Sequence, residues 1–270
     1  MSAFLLLWRE ALLDALRRKL VFAIASASIL SLFVLNTCAG AAPVIQTPSG
    51  AQEGTAAQAI LAIALLTIVG LWVVTLAGLL AADHLTQAIE DGHATAALAR
   101  PVRRHEFAFA RLAGSLTITL AAGALLLGMT SFWVATRSDL GAAPALLASA
   151  ACAVACITVG ALSMAASLAL PRIAVWFLVF GLVFFTTLGT GLNQFMPVAE
   201  GESVTWVGAL ARVLDQVGPP IGSAMLRALA PWGPAAQLPS DFAAVFARGL
   251  VWAAASLGVL AAAFRRIELR

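Results

Sequence analysis

The chain has 270 residues, 61% of them hydrophobic and only 11% charged, with a formal net charge of +3. A soluble globular domain is about 45–50% apolar and about 25% charged, so a chain of this composition must bury its surface in lipid; a cytosolic enzyme, a secreted disulfide scaffold and a disordered tail are all excluded. The three cysteines (Cys38, Cys152 and Cys156) stand in apolar surroundings and the basic residues in short clusters at the ends of apolar runs, which speaks against a zinc site and against nucleic-acid binding.

Residues 1–18 open with an amphipathic helix: Leu5, Trp8, Leu12 and Ala15/Leu16 share one face, and Arg9, Glu10, Asp14 and Arg17 the other. Such a helix lies in the plane of the membrane interface. A bilayer core about 30 Å thick takes roughly 20 apolar residues in helix. Six runs meet that length: about 20–39, 57–82, 107–135, 143–170, 173–192 and 242–264. The first follows Arg17, Arg18 and Lys19 and competes with a cleavable signal, because Leu35-Asn36-Thr37-Cys38 approaches a lipoprotein cleavage site. Asn36 and Thr37 stand where small residues belong, however, and the preceding stretch is too long for a signal's basic head. The expected fold class is all-α: a single polytopic membrane domain over 1–270 with six transmembrane helices.

Orientation follows from the basic residues. With both termini in the cytoplasm, Arg9, Arg17, Arg18, Lys19, Arg100, Arg103, Arg104, Arg111, Arg172, Arg265, Arg266 and Arg270 lie inside, against Arg137, Arg212, Arg227 and Arg248 outside. The chain is therefore read as a multi-pass protein of a bacterial inner membrane, both termini cytoplasmic.

Two segments between spans stand out. Residues 193–241, outside, are too polar and too broken by proline to cross. There Trp206, Leu210, Val213/Leu214 and Val217 recur at helical spacing, Pro219-Pro220 breaks the chain, and Ile221, Met225, Leu229 and Trp232 form a second stripe. Two amphipathic helices on the outer face, with their tryptophans at headgroup level, are the plain reading; a short re-entrant hairpin is the other. Inside, residues 83–106 form the largest cytoplasmic loop: a helix leaving the membrane, a break at Gly92, a short helix through Leu98, then Pro101 and a new helix start. A rigid helix–turn–helix joined to two spans can carry a push from a docked partner into the bilayer, although an ordinary connection has the same outline.

The run Glu90-Asp91-Gly92, Thr95, Leu98-Ala99-Arg100-Pro101-Val102-Arg103-Arg104-His105-Glu106-Phe107, closing on Arg111-Leu112-Ala113-Gly114, resembles the type-2 ABC transporter permease family. The amphipathic start, the six spans and the basic end at Phe264-Arg265-Arg266 are similar to that family over the whole chain, most of all to the subgroup holding the permease of the nitrous-oxide reductase maturation transporter. Ala97, Arg103 and Arg111 depart from the family's usual leucine, serine and lysine. The resemblance implies that the loop is a coupling helix seated in a groove of an ATP-hydrolysing subunit, with Glu90, Asp91, Gly92, Thr95, Leu98, Arg100, Pro101 and Arg103 as docking residues. It also implies a second permease copy as partner, in a homodimer or related heterodimer.

The residues themselves speak against ATP hydrolysis on this chain. A phosphate loop needs Gly-x-x-x-x-Gly-Lys-Ser/Thr, and Lys19, the single lysine, follows Arg17-Arg18 with no glycine near it. No catalytic residue, metal or cofactor is expected here; ATP and Mg belong to the partner ATPase. Two other functions remain open. One is an ion-coupled secondary transporter, which would need an acidic or histidine side chain at mid-depth, where none is found. The other is a non-transporting scaffold that anchors a soluble ATPase and an extracytoplasmic protein.

Lesser features have plain readings. Thr186, Thr187, Thr190 and Asn193 make the outer half of span five polar, as a pathway lining or as hydrogen bonding between helices. Cys152 and Cys156 share one face of span four as small packing residues. His84, His93 and His105 are read as solvated or docking residues, and Ser163, Ser167, Gly123 and Gly128 as marks of close helix packing.

Overall fold

The computed structural model describes residues 3–17, 29, 33, 52–92, 103–137, 141–195, 213, 215–232 and 237–266. Among these the fold is all-helical. The helices are α1 (Ala3–Arg17), α2 (Gln52–Glu90), α3 (Arg104–Arg137), α4 (Ala143–Ala166), α5 (Arg172–Phe195), α6 (Ile221–Leu229), with a 3₁₀ turn at Ala230–Trp232, and α7 (Phe242–Arg266).

Four of them, over Ala59–Glu90, His105–Phe132, Ala143–Ala166 and Phe242–Arg265, are long and apolar enough to cross a membrane. The apolar stretch Arg172–Leu188 in α5 is shorter, and the run 20–39 expected as a first span lies almost wholly outside the described residues. α2 has 39 residues, roughly 58 Å at 1.5 Å per residue, so it extends well past a hydrocarbon core and carries the chain out to the loop at 91–103.

The bundle is built around α4, in which ten of the 24 residues are alanine. Ala145, Ala148, Ala151, Cys152, Ala155, Cys156 and Val159 are all buried, and these short side chains let α2, α3, α6 and α7 approach its backbone. Glycines mark the tightest approaches. A Cβ on Gly78 would stand 2.8 Å from Val179 and 2.9 Å from Val159, where α2, α4 and α5 meet. One on Gly123 would stand 2.7 Å from Val73 across α2 and α3. Gly128, expected as a packing residue as well, has nothing within 4 Å and lies on an exposed face.

Almost every hydroxyl in the bundle is bonded within its own helix. Thr67, Thr75, Thr130, Ser149, Thr158 and Ser256 each donate to the carbonyl four residues earlier, at 2.6–3.0 Å.

Helix α6 corrects the expectation of a second amphipathic helix on the surface. Eight of its nine residues are buried, because it inserts among α2, α4, α5 and α7 instead of lying across their ends. Met225 reaches Gly70, so closely that a Cβ there would overlap the Met225 methyl group. Gly70 stands near the middle of the apolar stretch that begins at Ala59. On another side of α6, a Cβ on Gly222 would meet the Thr187 side chain at 3.0 Å. Trp232, expected at headgroup level, is 6% exposed and its indole N–H donates to the Gly141 carbonyl at 3.0 Å. The stripe read as one amphipathic face is thus one part of a helix wrapped by protein. Of the preceding stripe, Trp206 and Leu210 lie outside the described residues.

Helix α1 is not free of the bundle. Ala11 is wholly buried against Gly114 of α3, where a Cβ would come within 2.8 Å of the Ala11 Cβ and 3.3 Å of its backbone. The Trp8 indole donates to Thr117 at 3.2 Å. Phe4, Leu5, Leu6 and Leu13 stay exposed, an apolar surface turned away from the protein. The contact is glycine-dependent, so Gly114→Val is expected to lift α1 from α3 at a cost of about 1–3 kcal/mol. Limited proteolysis within residues 3–17 would speed up, and Ala11→Gly in the same chain would slow it again.

Candidate functional site

The loop expected to carry function hangs between the ends of two long helices. α2 runs to Glu90, and the chain then turns: the Asp91 N–H donates to Gln87 at 2.9 Å and the Gly92 N–H to Ile89 at 3.1 Å. Gly92 takes φ 71°, the left-handed conformation in which glycine ends helices, so the break expected there is present. On the far side the Arg103 carbonyl accepts from the backbone of Glu106 and Phe107 at 3.0 and 3.3 Å, capping α3. Glu90, Asp91 and Arg103 are exposed. Thr95, Leu98, Arg100 and Pro101, and His93 with them, lie outside the described residues.

The ground beneath this loop is firmly tied. Phe107, at the start of α3, stacks on Phe264 of α7 with centroids 6.1 Å apart, and the Arg111 guanidinium lies over the Phe107 ring at 5.4 Å. Leu85, Ala88, Leu112, Met164 and Leu260 close a small core around them. Asp83, two turns before the end of α2, pairs with the Arg172 Nε that opens α5, at 2.8 Å. The Asp83 side chain is 10% exposed and that of Arg172 42%. The pair thus joins α2 to α5 from a half-wet position, and its Coulombic worth is modest. His84 differs from the expectation of a solvated residue: it is 1% exposed, with Nε2 donating to the Ala11 carbonyl of α1 at 3.0 Å. His105 is half-buried, its ring edge-on to Phe109. The ends of α2 and α3 are therefore bound to each other and to α1, α5 and α7.

The polar half of α5 has a different character. Thr186 and Thr190 are buried. The Thr186 hydroxyl donates to Leu182 at 2.7 Å, that of Thr187 to Val183 at 2.7 Å and that of Thr190 to Thr186 at 3.0 Å. Thr190 also meets the Asp215 carboxylate at 2.9 Å, fastening the chain ahead of α6 to α5. Asn193 sits in the last turn of α5. Around the start of α6 a shallow apolar cleft is lined by Ala151, Val154, Thr158, Pro219, Pro220 and Phe246.

Sequence reading did not find the Asp83–Arg172 pair, nor the role of Gly70, Gly114 and Met225. The sequence breaks between the apolar runs at Pro171-Arg172, but nothing in that break names Asp83 as a partner. No group of three or more His, Cys, Asp or Glu side chains suited to a metal occurs among the described residues. No protein-family model and no curated protein matches the chain.

Proposed function

We propose that the protein is the membrane-spanning permease subunit of an ATP-driven ABC transporter, working as a pair with a second permease and driven by separate ATPase subunits. The observation that carries this reading is mechanical. The loop from Asp91 to Arg103 hangs from two long helices whose ends are locked to three others through Asp83–Arg172, His84–Ala11 and Phe107–Phe264. A partner pressing on that loop moves the ends of α1, α2, α3, α5 and α7 together, and a push of that kind can alternate access along a bundle. Glu90, Asp91 and Arg103 form the charged rim that meets the ATPase, with Thr95, Leu98, Arg100 and Pro101 between them. The cytoplasm lies on the loop side, as the basic residues indicate. The segment around α6 is then re-entrant from the opposite side. An ion-coupled mechanism is less well supported, because Asp83, the buried acid of α2, is engaged by Arg172.

The test is reconstitution of the full chain with its cognate ATPase in liposomes. Glu90→Arg with Asp91→Arg changes two exposed side chains, whose effect on folding is within about 0.5 kcal/mol. The doubly reversed protein is expected to insert and fold normally, yet to lose the ATPase from the purified complex and the stimulation of ATP hydrolysis. Unchanged assembly and hydrolysis would exclude the loop as the coupling element.

A further inference from the structure

Sulfur atoms from two helices gather beside Gly70 in the middle of the bundle. A Cβ built on Gly70 of α2 would stand 3.0 Å from the Met225 Sδ of α6 and 3.8 Å from the Cys152 Sγ of α4. The Cys152 thiol donates to the Gly70 carbonyl at 3.6 Å. Cys156, one helical turn further along α4, has its thiol in direct interaction with that of Cys152. Both cysteines are free thiols, and all three residues are buried in one hydrophobic cluster.

This is more than close packing requires. Alanine serves the tight contacts at Ala148, Ala151 and Ala155, and it would serve equally at 152 and 156. What sulfur adds is a polarizable donor atom. Residues four apart on a helix turn to the same face, the spacing with which one helix offers two ligands to a metal ion. The thioether then arrives from a second helix.

The donor set selects the kind of ion. Thiols and thioethers are soft ligands, suited to Cu(I) and its congeners. Zinc takes four ligands, and the neighbours in this cluster, among them Leu66, Val69, Val73 and Val159, offer only carbon. Burial selects the charge. A net charge within the bilayer is costly, whereas a monovalent cation that replaces one thiol proton leaves the net charge at zero.

We propose that Cys152, Cys156 and Met225 form a three-sulfur binding site for a soft monovalent cation, Cu(I) or Ag(I). On binding, one cysteine S–H bond breaks and its proton leaves to solvent. An S–metal bond forms in its place, the second thiol and the thioether donate lone pairs, and no electron is transferred. Met225, unbranched and flexible, is the adjustable ligand. The site stands independently of the transporter reading.

The test uses full-length protein in nanodiscs under a non-thiol reductant. Cys38, the third cysteine, is replaced by serine, so that only two thiols remain. Ag(I) is the probe, because it keeps its oxidation state. Native mass spectrometry is expected to show a single ion per chain, and X-ray absorption at the silver edge only sulfur neighbours. Competition with a soluble chelator gives the affinity. Cys152→Ala and Cys156→Ala, both mild in an alanine-rich helix, should each lower it by roughly a hundredfold or more, beyond what the loss of a ligand's outer partner costs. Met225→Leu nearly conserves volume and should lower affinity about tenfold. Thermal unfolding without metal verifies that each variant is folded, and added Ag(I) should raise the melting temperature of the parent protein but not of the cysteine variants. Absence of loading in the parent, loading that persists in either cysteine variant, an affinity unchanged by Met225→Leu, or equal affinity for Zn(II) overturns the proposal.

Discussion

Replacing Gly70 by leucine is expected to expel α6 from the bundle and to lower stability by about 3 kcal/mol, the upper end of overpacking in a closed core. In a chain of this length that is a fall in melting temperature of roughly 6–12 °C. The cause is local: even a methyl group on Gly70 overlaps the Met225 methyl, and both residues are buried. Met225→Ala alone is expected to cost about 2–5 kcal/mol by leaving a cavity. In the doubly substituted chain the leucine fills the space the methionine left. The two changes should therefore be less damaging together than their sum, by more than about 1 kcal/mol. Thermal unfolding of the four proteins in one detergent measures the cycle. Strict additivity would mean that α6 does not rest on α2 as described.

Gly92→Val is expected to spare the bundle and impair what the loop transmits. Gly92 holds φ 71°, which costs a β-branched residue about 1–2 kcal/mol. Valine therefore drives the chain out of the turn and redirects the segment after Asp91. The ties beneath the loop are made by Asp83, His84 and Phe107, none of which depends on that turn, so melting should change by no more than that strain. If the loop couples an ATPase, stimulated hydrolysis should fall about tenfold, in the range of ordinary coupling energies. Gly92→Ala, with a smaller penalty, should fall less. Equal stimulation in glycine, alanine and valine forms would show that the turn has no part in transmission.

These two sites differ in how far the sequence disclosed them. Gly92 was legible because glycine after a charged helix end, with a proline nine residues on, has one common meaning. Gly70 was silent, since a glycine inside an apolar run reads the same whether it faces lipid or a methionine from a helix 155 residues away. The apolar runs at 57–82, 107–135, 143–170 and 242–264 are legible from length and hydropathy alone, and the structure holds helices over them, the third ending at Ala166, short of 170. The stripe Ile221, Met225, Leu229 and Trp232 led to a surface helix because alanine, glycine and serine between its members count as polar-side residues in a periodic reading. In the bundle those same small residues are what let the opposite side of α6 be covered. His84 was placed in solvent for a similar reason: its acceptor, the Ala11 carbonyl, is a backbone group that no side-chain pattern reveals.

The hydroxyl groups bonded within their own helices bear on how such a chain is assembled. A threonine or serine that donates to the carbonyl one turn back brings its own acceptor with it, so each helix can enter the bilayer singly without an unmet polar group. For these hydroxyls association afterwards needs no exchange of hydrogen bonds, and the helices fit by shape: small side chains along α4, glycine beneath valine at Gly78 and Gly123. Thr117 and Thr190 also reach beyond their own helices, Thr117 to Trp8 of α1 and Thr190 to Asp215. The chain leading into α6 therefore completes its contacts only once α5 is in place beside it.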